Sequence, residues 1–496
     1  MPDEEDRSAV EQARRVKLAR LRAAGIETYP VGFRRTHTLE EIRRVWDHQL
    51  KNGQESDDVV RVAGRIVLKR SMGRLAFWTV RHDGHELQVM LTVQALGTEQ
   101  FEVVVDLDVG DWVGVQGPVV KTRRGELSVK ATEVYLLGKA LRPLPDKWKG
   151  LTDVEVRSRQ RELDLAVNPA AMRAMRVRSR VVRSLRDSML ARGFLEVETP
   201  ILNPVPGGAL ARPFVTHHNA LDTDLYLRVA SELYLKRLLV GGVDRVFELG
   251  RVFRNEGVDA THNTEFTMLE SNSAFQDYRD MMELAREVIQ EAADAVGGRR
   301  VTYRGREIDL DGDWDEVTML DAVREAIGQP DLAYDWPLDR VRELCHQHGV
   351  ATEPGWATGK LVLELYEKHA EQRITGPTFV TDYPVEVSPL AHPHRDNPFV
   401  TERFELIIGG REYANCFSEL TDPDEQRARF EEQAMAKAGG DEEAMVVDEA
   451  YLRALELGLP PNAGLGIGVD RLVMLLADLS SIREALLFPQ LRPEEM

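Results

Sequence analysis

The stretch FRNEGVDATHNTEFTMLE, residues 253–270, decides the fold. Two β-rich runs flank a polar segment, which predicts a hairpin with a long loop. In the second run Phe266, Met268 and Glu270 alternate, so they face the same side. Arg254 and Glu256 share one side of the first run. A face of this kind suits the floor of a cleft, because a guanidinium binds phosphate or carboxylate and a phenyl ring covers a purine. A surface hairpin closed by ion pairs is the alternative.

Two further segments fit with this hairpin. Upstream, a long helix near residues 169–192 leads into Gly193–Leu202, where alternation predicts a strand that ends at Pro200. Downstream, Gly464–Leu472 has the spacing G-x-G-x-G, and too little chain follows for a dinucleotide-binding unit. A strand that leads into a helix near Asp470 is predicted instead. Arg471 would then lie at the helix start, where a cation is unfavourable unless it meets an anion; a tight turn with an exposed arginine is the alternative.

The N-terminal part has a different character. Five short β-rich runs lie between residues 59 and 137 and predict a small barrel of the oligonucleotide-binding type, with a generic β-barrel as the alternative. The proline-containing joint Leu141–Lys147 predicts a boundary between domains 1–145 and 146–496. Before the barrel, a helix over residues 7–24 places Arg14, Lys17 and Arg20 on one face. This face is either a basic patch for nucleic acid or an ordinary solvated surface.

The composition limits the class of protein. The 496 residues are 43% hydrophobic and 30% charged, which is typical of a soluble globular chain. A net charge of −19 argues against indiscriminate coating of nucleic acid. Neither a membrane span nor a secretory signal is expected from the sequence. Two cysteines, Cys345 and Cys416, cannot form a disulfide framework, so we expect a cytoplasmic protein.

The hairpin, the strand before Pro200 and the glycine-rich segment together resemble the three motifs of class II aminoacyl-tRNA synthetases. Longer matches resemble the lysine-specific members of that class: Pro206–Ala209, Ala211–Phe214, Thr216–Ala220, Glu232–Leu238, Glu412–Leu420 and Gly464–Arg471. The resemblance covers essentially the whole chain. It implies an α+β protein with an N-terminal OB-fold barrel and a catalytic domain built on an antiparallel sheet flanked by helices. It also implies a homodimer that uses the segment ending at Pro200.

The resemblance implies that ATP activates an amino acid as an aminoacyl-adenylate, which is then transferred to tRNA. Arg254 would hold the α-phosphate and the amino-acid carboxylate, and Glu256 and His262 would lie near the nucleotide. Phe266 and Arg471 would cover the two faces of adenine. Glu405 and Glu412 would carry Mg²⁺, which prefers carboxylate and phosphate oxygens. Their odd spacing requires a turn or bulge at Gly409-Gly410 if both are to share a face.

The amino-acid site is implied in the same way. Gly208 and Glu232 would surround the α-amine, Asn415 and Phe417 would lie near the amino acid, and Glu270 and Glu419 would bind a side-chain ammonium. Two carboxylates in one pocket repel unless a cation lies between them, so lysine or a close cationic analogue is the expected substrate.

The chain departs from the lysine-specific pattern at three positions near this site. Asn272 stands where those enzymes resemble one another in having tyrosine, Cys416 stands where a small residue is usual, and Ser231 stands where proline is frequent. Asparagine in place of tyrosine opens space and supplies an amide.

In the barrel, the resemblance places Phe77 and Gln88 at the anticodon, as a stacking ring beside an amide that reads a base edge. Phe77 as part of the barrel core is the alternative.

Given the resemblance as a whole, lysine–tRNA ligase is the leading hypothesis. An adenylate-forming ligase with a non-tRNA acceptor and a non-catalytic RNA-binding relative are the alternatives.

Overall fold

The computed structural model describes residues 8–145, 151–439 and 443–492. The chain divides into two compact units, Met1–Met172 and Arg173–Met496. This division lies within the helix Pro169–Ala191, later in the chain than the predicted boundary at residue 145. Asp146 and Lys147 of the predicted joint lie outside the described residues.

The first unit is built on a six-stranded sheet in the order β1-β2-β3-β5-β4-β6, and β1 also pairs with β4. The pairing of β1 with β4 closes a five-stranded barrel, which confirms the predicted OB-type architecture. Alternate residues of each strand point inwards; Val60, Val62 and Ile66 of β1 are fully buried. The sequence missed the sixth strand, which pairs with β4 outside the closed ring. The strands are β1 Glu55–Met72, β2 Leu75–His82, β3 His85–Thr92, β4 Trp112–Lys121, β5 Leu127–Lys130 and β6 Glu133–Gly138.

Among the described residues of the first unit, six helices accompany the barrel. The first confirms the predicted N-terminal helix: Ser8 caps its start, and Gly25, with a φ of +72°, follows its end in the left-handed conformation that favours glycine. The helices are α1 Ala9–Ala23, α2 Leu39–Trp46, α3 Val93–Leu96, α4 Thr98–Asp106, α5 Val154–Arg159 and α6 Arg161–Val167.

The second unit contains an eight-stranded sheet in the order β15-β16-β17-β18-β19-β12-β11-β7. Its central pairs are antiparallel, and only the two edge pairs, β15–β16 and β11–β7, are parallel. This confirms the predicted antiparallel catalytic sheet. The strands of the sheet are β7 Leu195–Glu196, β11 Arg245–Phe253, β12 Glu265–Ala274, β15 Asp315–Thr318, β16 Thr378–Thr381, β17 Arg403–Ile407, β18 Glu412–Ser418 and β19 Asn462–Gly468.

Smaller strands form two satellite sheets: β8 Leu202–Asn203, β9 Val215–His218 and β10 Thr223–Leu227 in one, and β13 Arg300–Tyr303 and β14 Arg306–Asp309 in the other. The predicted strand before Pro200 is shorter than expected. Only Leu195 and Glu196 pair in the sheet, although Val197 still donates its N–H to the carbonyl of Phe247.

The helices of the second unit lie on both faces of the sheet and also fill the connection between β15 and β16. The predicted long helices are confirmed as α7 and α9. Met281, Ala285 and Val288 of α9 pack against β18 and β19 in a core from which water is excluded. The helices are α7 Pro169–Ala191, α8 Glu232–Val240, α9 Tyr278–Val296, α10 Met319–Ile327, α11 Leu338–Gln347, α12 Thr358–His369, α13 Pro423–Ala438, α14 Glu449–Leu455, α15 Val469–Ala477 and α16 Ile482–Ala485. Within the described ranges, none of the helices of either unit is both long and apolar enough to span a bilayer.

Candidate active site

Three adjacent strands, β12, β19 and β18, form the floor of the site on the sheet face opposite α9. Their register aligns Glu270 with Gly466 and Asn272 with Gly464. The glycines leave room for the side chains above the sheet. A Cβ on Gly464 would collide with them, because it would lie 2.1 Å from Oε1 of Glu419 and 2.9 Å from Nδ2 of Asn272. The predicted hairpin is confirmed, and Phe266, Met268 and Glu270 point to this one face. The strand-to-helix transition at Gly468 and Val469 is confirmed as well.

A cavity of about 230 Å³ lies over one half of this floor. It brings together the residues that the sequence assigns to the nucleotide, with the exception of Glu405: Arg254, Glu256, His262, Phe266, Glu412 and Arg471. The guanidinium carbon of Arg254 lies 5.2 Å from the centre of the Phe266 ring. Nε of Arg254 is buried and has no hydrogen-bond partner among the described residues. A buried donor of this kind is costly unless a ligand satisfies it.

Arg471 is held at the edge of the same cavity by the start of α15. Its Nη1 donates to the carbonyl and to Oε2 of Glu412, both at 3.0 Å, and its Nη2 lies 3.2 Å from Nε2 of His262. The preceding Asp470 is buried and accepts a 2.6 Å hydrogen bond from the main chain of Thr267. This contact ties α15 to β12 and fixes the position of Arg471.

A larger cleft of about 960 Å³ adjoins this cavity and contains both predicted metal ligands, Glu405 and Glu412. The predicted turn between them is confirmed: Gly409 and Gly410 have φ values of +59° and +72°, and the β17–β18 register shifts between Leu406 and Ile407. Glu405 accepts hydrogen bonds from Tyr383 at 3.0 Å and from Arg403 at 2.6 Å.

The electrostatics of this cleft favour a cation. Burial, followed by the nearby carboxylate of Glu412, raises the pKa of Glu405 to about 7. Burial and the carboxylates of Glu405 and Glu412 raise the pKa of Glu371 to about 7, and no sequence pattern pointed to this residue. No group of three His, Cys, Asp or Glu side chains within the described residues could hold a metal ion alone. Two carboxylates still fit Mg²⁺, since this ion is usually held by one or two carboxylates together with substrate phosphates.

A second cavity, of about 80 Å³, lies over the other half of the floor. The eight residues that the sequence assigns to the amino acid all line it: Gly208, Glu232, Arg254, Glu270, Asn272, Asn415, Phe417 and Glu419. Arg254, Met268 and Gly466 line both this chamber and the nucleotide-side cavity, so the two are neighbours.

Protein donors hold the two carboxylates predicted to meet the side-chain ammonium. Oε2 of Glu270 accepts from the N–H and the hydroxyl of Ser231, each at 2.6 Å. Oε1 of Glu419 accepts from Nδ2 of Asn272 at 2.9 Å. Burial raises the pKa of Glu270 and of Glu419, and hydrogen bonds from these donors oppose the rise. Two of the three departures from the family pattern, Ser231 and Asn272, therefore donate hydrogen bonds to Glu270 and Glu419.

The third departure, Cys416, faces away from the chamber. It is fully buried on the α9 side of the sheet, where its register partners are Phe404 and Leu465. Its side chain fills the apolar core, and neighbouring Asn415 and Phe417 point to the site.

Sequence reasoning missed a cation beside the chamber. Lys236 of α8 is fully buried; its Nζ lies 2.6 Å from Oε1 of Glu232 and also pairs with Oε2 of Glu419. The only sequence signal is the spacing of four residues between Glu232 and Lys236, which is typical of an ion pair on a helix. That spacing does not indicate burial or the contact with Glu419.

In the barrel, Phe77 and Gln88 lie on one outward face of β2 and β3. Phe77 is half-buried between the core residues Ala76 and Trp78, so its ring is not part of the barrel core. Gln88 pairs with Thr79 in the register, two residues from Phe77, and its amide donates to Ser128 at 2.9 Å. A partly exposed ring next to an amide suits the stacking and reading of an unpaired base.

The sequence leaves Arg14, Lys17 and Arg20 of α1 as either a patch for nucleic acid or a solvated face, and the structure shows all three in contacts within the first unit. Arg14 is buried and donates to the carbonyls of Val109, Ala140 and Arg142. Lys17 pairs with Asp106 and Asp108, and Arg20 pairs with Asp106. Intramolecular partners therefore occupy the basic face of the helix, although the side chain of Arg20 stays 66% exposed.

Comparison with known proteins extends over both units. Residues 153–492 match the family described as tRNA synthetases class II (D, K and N), and residues 60–137 match the OB-fold nucleic acid binding domain. The chain is 49% identical over 499 residues to the lysine–tRNA ligase of Azoarcus sp. strain BH72, with 99% of each chain covered. It is 48% identical over 483 residues to the lysine–tRNA ligase of Carboxydothermus hydrogenoformans, with 97% of each covered. The heat-inducible lysine–tRNA ligase of Escherichia coli K12 is 46% identical over 490 residues, covering 97% of this chain and 96% of the relative.

Proposed function

Because the chain belongs to the class II tRNA synthetases of the D, K and N group, we propose that it is a lysine–tRNA ligase, which activates lysine with ATP and transfers it to tRNA. The observation that carries the proposal is the pair of neighbouring cavities joined at Arg254. One cavity is lined by residues assigned to the nucleotide, and the other is lined by Glu270 and Glu419 among others. The three lysine–tRNA ligases named above carry the tRNA ligase name, and none of them supports a non-tRNA acceptor.

The proposed chemistry needs no nucleophilic side chain. A carboxylate oxygen of lysine attacks the α-phosphorus of ATP; a new P–O bond forms and the bond to pyrophosphate breaks. Arg254 lies where the two cavities meet, and its guanidinium, whose buried Nε has no partner among the described residues, would bind the reacting carboxylate and α-phosphate together. Rate then comes from orientation and from neutralised phosphate charge.

The remaining residues are given supporting roles in this proposal. Phe266 and Arg471 would enclose adenine, and Glu256 and His262 would contact the nucleotide. Glu405 and Glu412 would hold Mg²⁺, which neutralises phosphate charge when it is bound. Arg471 would exchange its contact with Glu412 for contacts with ATP, because a phosphate is a stronger partner for a guanidinium than a half-exposed carboxylate.

The preference for lysine is supported by charge. Three carboxylates line the chamber: Glu232, Glu270 and Glu419. Two cations lie beside them: Arg254, which also lines the chamber, and Lys236 behind it. One negative charge is left over. An amino acid with a cationic side chain carries one net positive charge, so it neutralises the chamber, whereas a neutral zwitterion does not.

Two further properties belong to the same proposal. A homodimer is supported by large apolar side chains that stay exposed near the first motif: Leu195 is 54% exposed, Ile201 45% and Val215 59%. A cytoplasmic location is supported by two buried cysteines that form no disulfide.

Two assays test the function. ATP–pyrophosphate exchange should be stimulated by lysine in a panel with β-lysine, ornithine and the standard amino acids. Charging of total tRNA with the same amino acid should follow. Exchange with lysine but no charged tRNA would refute the transfer step, and exchange stimulated only by a neutral amino acid would refute the assignment to lysine.

A further inference from the structure

Lys236 is the most deeply buried cation near the site, with a side chain that is 0% exposed. Its ammonium lies 2.6 Å from Oε1 of Glu232 and contacts Oε2 of Glu419, and it sits 5.4 Å from the centre of the Phe417 ring. Glu232, Phe417 and Glu419 all line the amino-acid chamber, and Lys236 itself lies behind its wall. A single interior charge thus contacts two of the carboxylates that the chamber presents.

The environment of Lys236 keeps its ammonium charged. Burial disfavours the charged form of a lysine, but the carboxylates of Glu232 and Glu419 outweigh burial and raise the pKa of Lys236 above its ordinary value. An unpaired ammonium in such a place would cost several kcal/mol, so the two contacts are required by the burial itself.

We propose that Lys236 is a positioning residue for amino-acid recognition, whose buried ammonium fixes Glu232 and Glu419 in the orientation that receives the two amines of the substrate. The inference rests on the proposed function, in which Glu232 meets the α-amine and Glu419 meets the side-chain ammonium. Lys236 touches neither the substrate nor the reacting atoms.

The geometry of Glu419 carries the argument further. One of its oxygens pairs with Lys236 and the other accepts from Asn272. A carboxylate held at both oxygens cannot rotate away, so its free lone pairs stay directed at the chamber before the substrate arrives. Without Lys236, the buried carboxylates of Glu270 and Glu419 and the partly buried Glu232 would have only Arg254 to balance them, and they would protonate or turn apart.

The test uses the full-length protein and Lys236→Met, which keeps the length of the side chain and removes its charge. We expect KM for lysine in the exchange assay to rise about 30-fold or more, as loss of one partner of a buried charge pair costs at least about 2 kcal/mol. KM for ATP should stay within about threefold. Lys368→Met is the matched control, because Lys368 is exposed and donates only to the carbonyl of Gly349.

A second variant separates positioning from simple structural support. If Lys236 acts in part through Glu419, the double variant Lys236→Met/Glu419→Gln should lose less affinity for lysine than the sum of the losses in the two single variants. Additive losses would overturn the inference, as would equal increases in the KM values for lysine and ATP, or failure of both Lys236 variants to fold. Absence of lysine-stimulated exchange in the unmodified protein would instead refute the proposed function.

Discussion

Replacing Glu270 by glutamine tests the idea that a charge, and not merely a hydrogen bond, selects the substrate. Glutamine keeps the shape of the side chain and one oxygen that can accept from Ser231, so the local structure should persist. Burial raises the pKa of Glu270, which means that its ionised form lowers the stability of the folded protein. The neutral variant should therefore melt at a temperature no lower than that of the unmodified protein.

The magnitude follows from the burial of Glu270, which is 9% exposed. Loss of one partner from a desolvated charge pair costs about 2–5 kcal/mol. The guanidinium of Arg254 compensates part of the charge of Glu270, so we expect the lower part of this range, about 2–3 kcal/mol. At about 1.4 kcal/mol for each factor of ten, KM for lysine should rise roughly 30- to 150-fold.

The assay is lysine-dependent ATP–pyrophosphate exchange, with KM for ATP measured in parallel. Glu265→Gln is the matched control, because Glu265 begins the same strand but is exposed and pairs only with Arg251 across it. A change of less than threefold in KM for lysine, or an equal change in KM for ATP, would refute the assignment of Glu270 to the side-chain ammonium.

Four further predictions concern other parts of the molecule. Arg471→Ala should abolish exchange and leave the fold intact by melting temperature and by size relative to the unmodified protein; normal exchange would remove Arg471 from the ATP site. Asn272→Tyr should raise kcat/KM for lysine relative to ornithine and β-lysine, and an unchanged ranking would count against a role for Asn272 in selectivity. Phe77→Ala should weaken tRNA charging but spare exchange, because its ring lies on the barrel; equal loss of both activities would indicate a folding defect. On acidification, KM for lysine should begin to rise at a pH above the ordinary pKa of glutamate. Burial raises the pKa of Glu270, and its charged form binds the ammonium. A KM for lysine that stays constant down to the ordinary pKa of glutamate would contradict this role of Glu270.

Local patterns predicted the parts of the fold that depend on strand alternation. Phe266, Met268 and Glu270 share a face because a strand has a period of two residues, and the turn at Gly409-Gly410 follows from the need to align two glutamates. The position of Arg471 at the start of α15 was predicted for a related reason, since glycines leading into an amphipathic run typically mark a strand-to-helix transition.

Features that depend on partners distant in the sequence could not be predicted. Helix periodicity grouped Arg14, Lys17 and Arg20 correctly. The acidic residues that pair with Lys17 and Arg20 are about 90 residues away, and Arg14 binds equally distant main-chain carbonyls. Lys236 appears from its neighbours to be one half of a surface ion pair, and only the folded sheet brings Glu419 to it. The strand before Pro200 was predicted too long because alternation alone does not show where a neighbouring strand stops pairing.

The internal pairing of the first helix changes how the affinity for RNA should respond to ionic strength. Each lysine or arginine that binds a phosphate releases a condensed counterion, and the slope of log K against log salt counts those residues. Lys17 and Arg20 are already committed to Asp106 and Asp108, and the guanidinium of Arg14 is bound to main-chain carbonyls. A slope calculated from the number of basic residues in this helix would therefore be too steep.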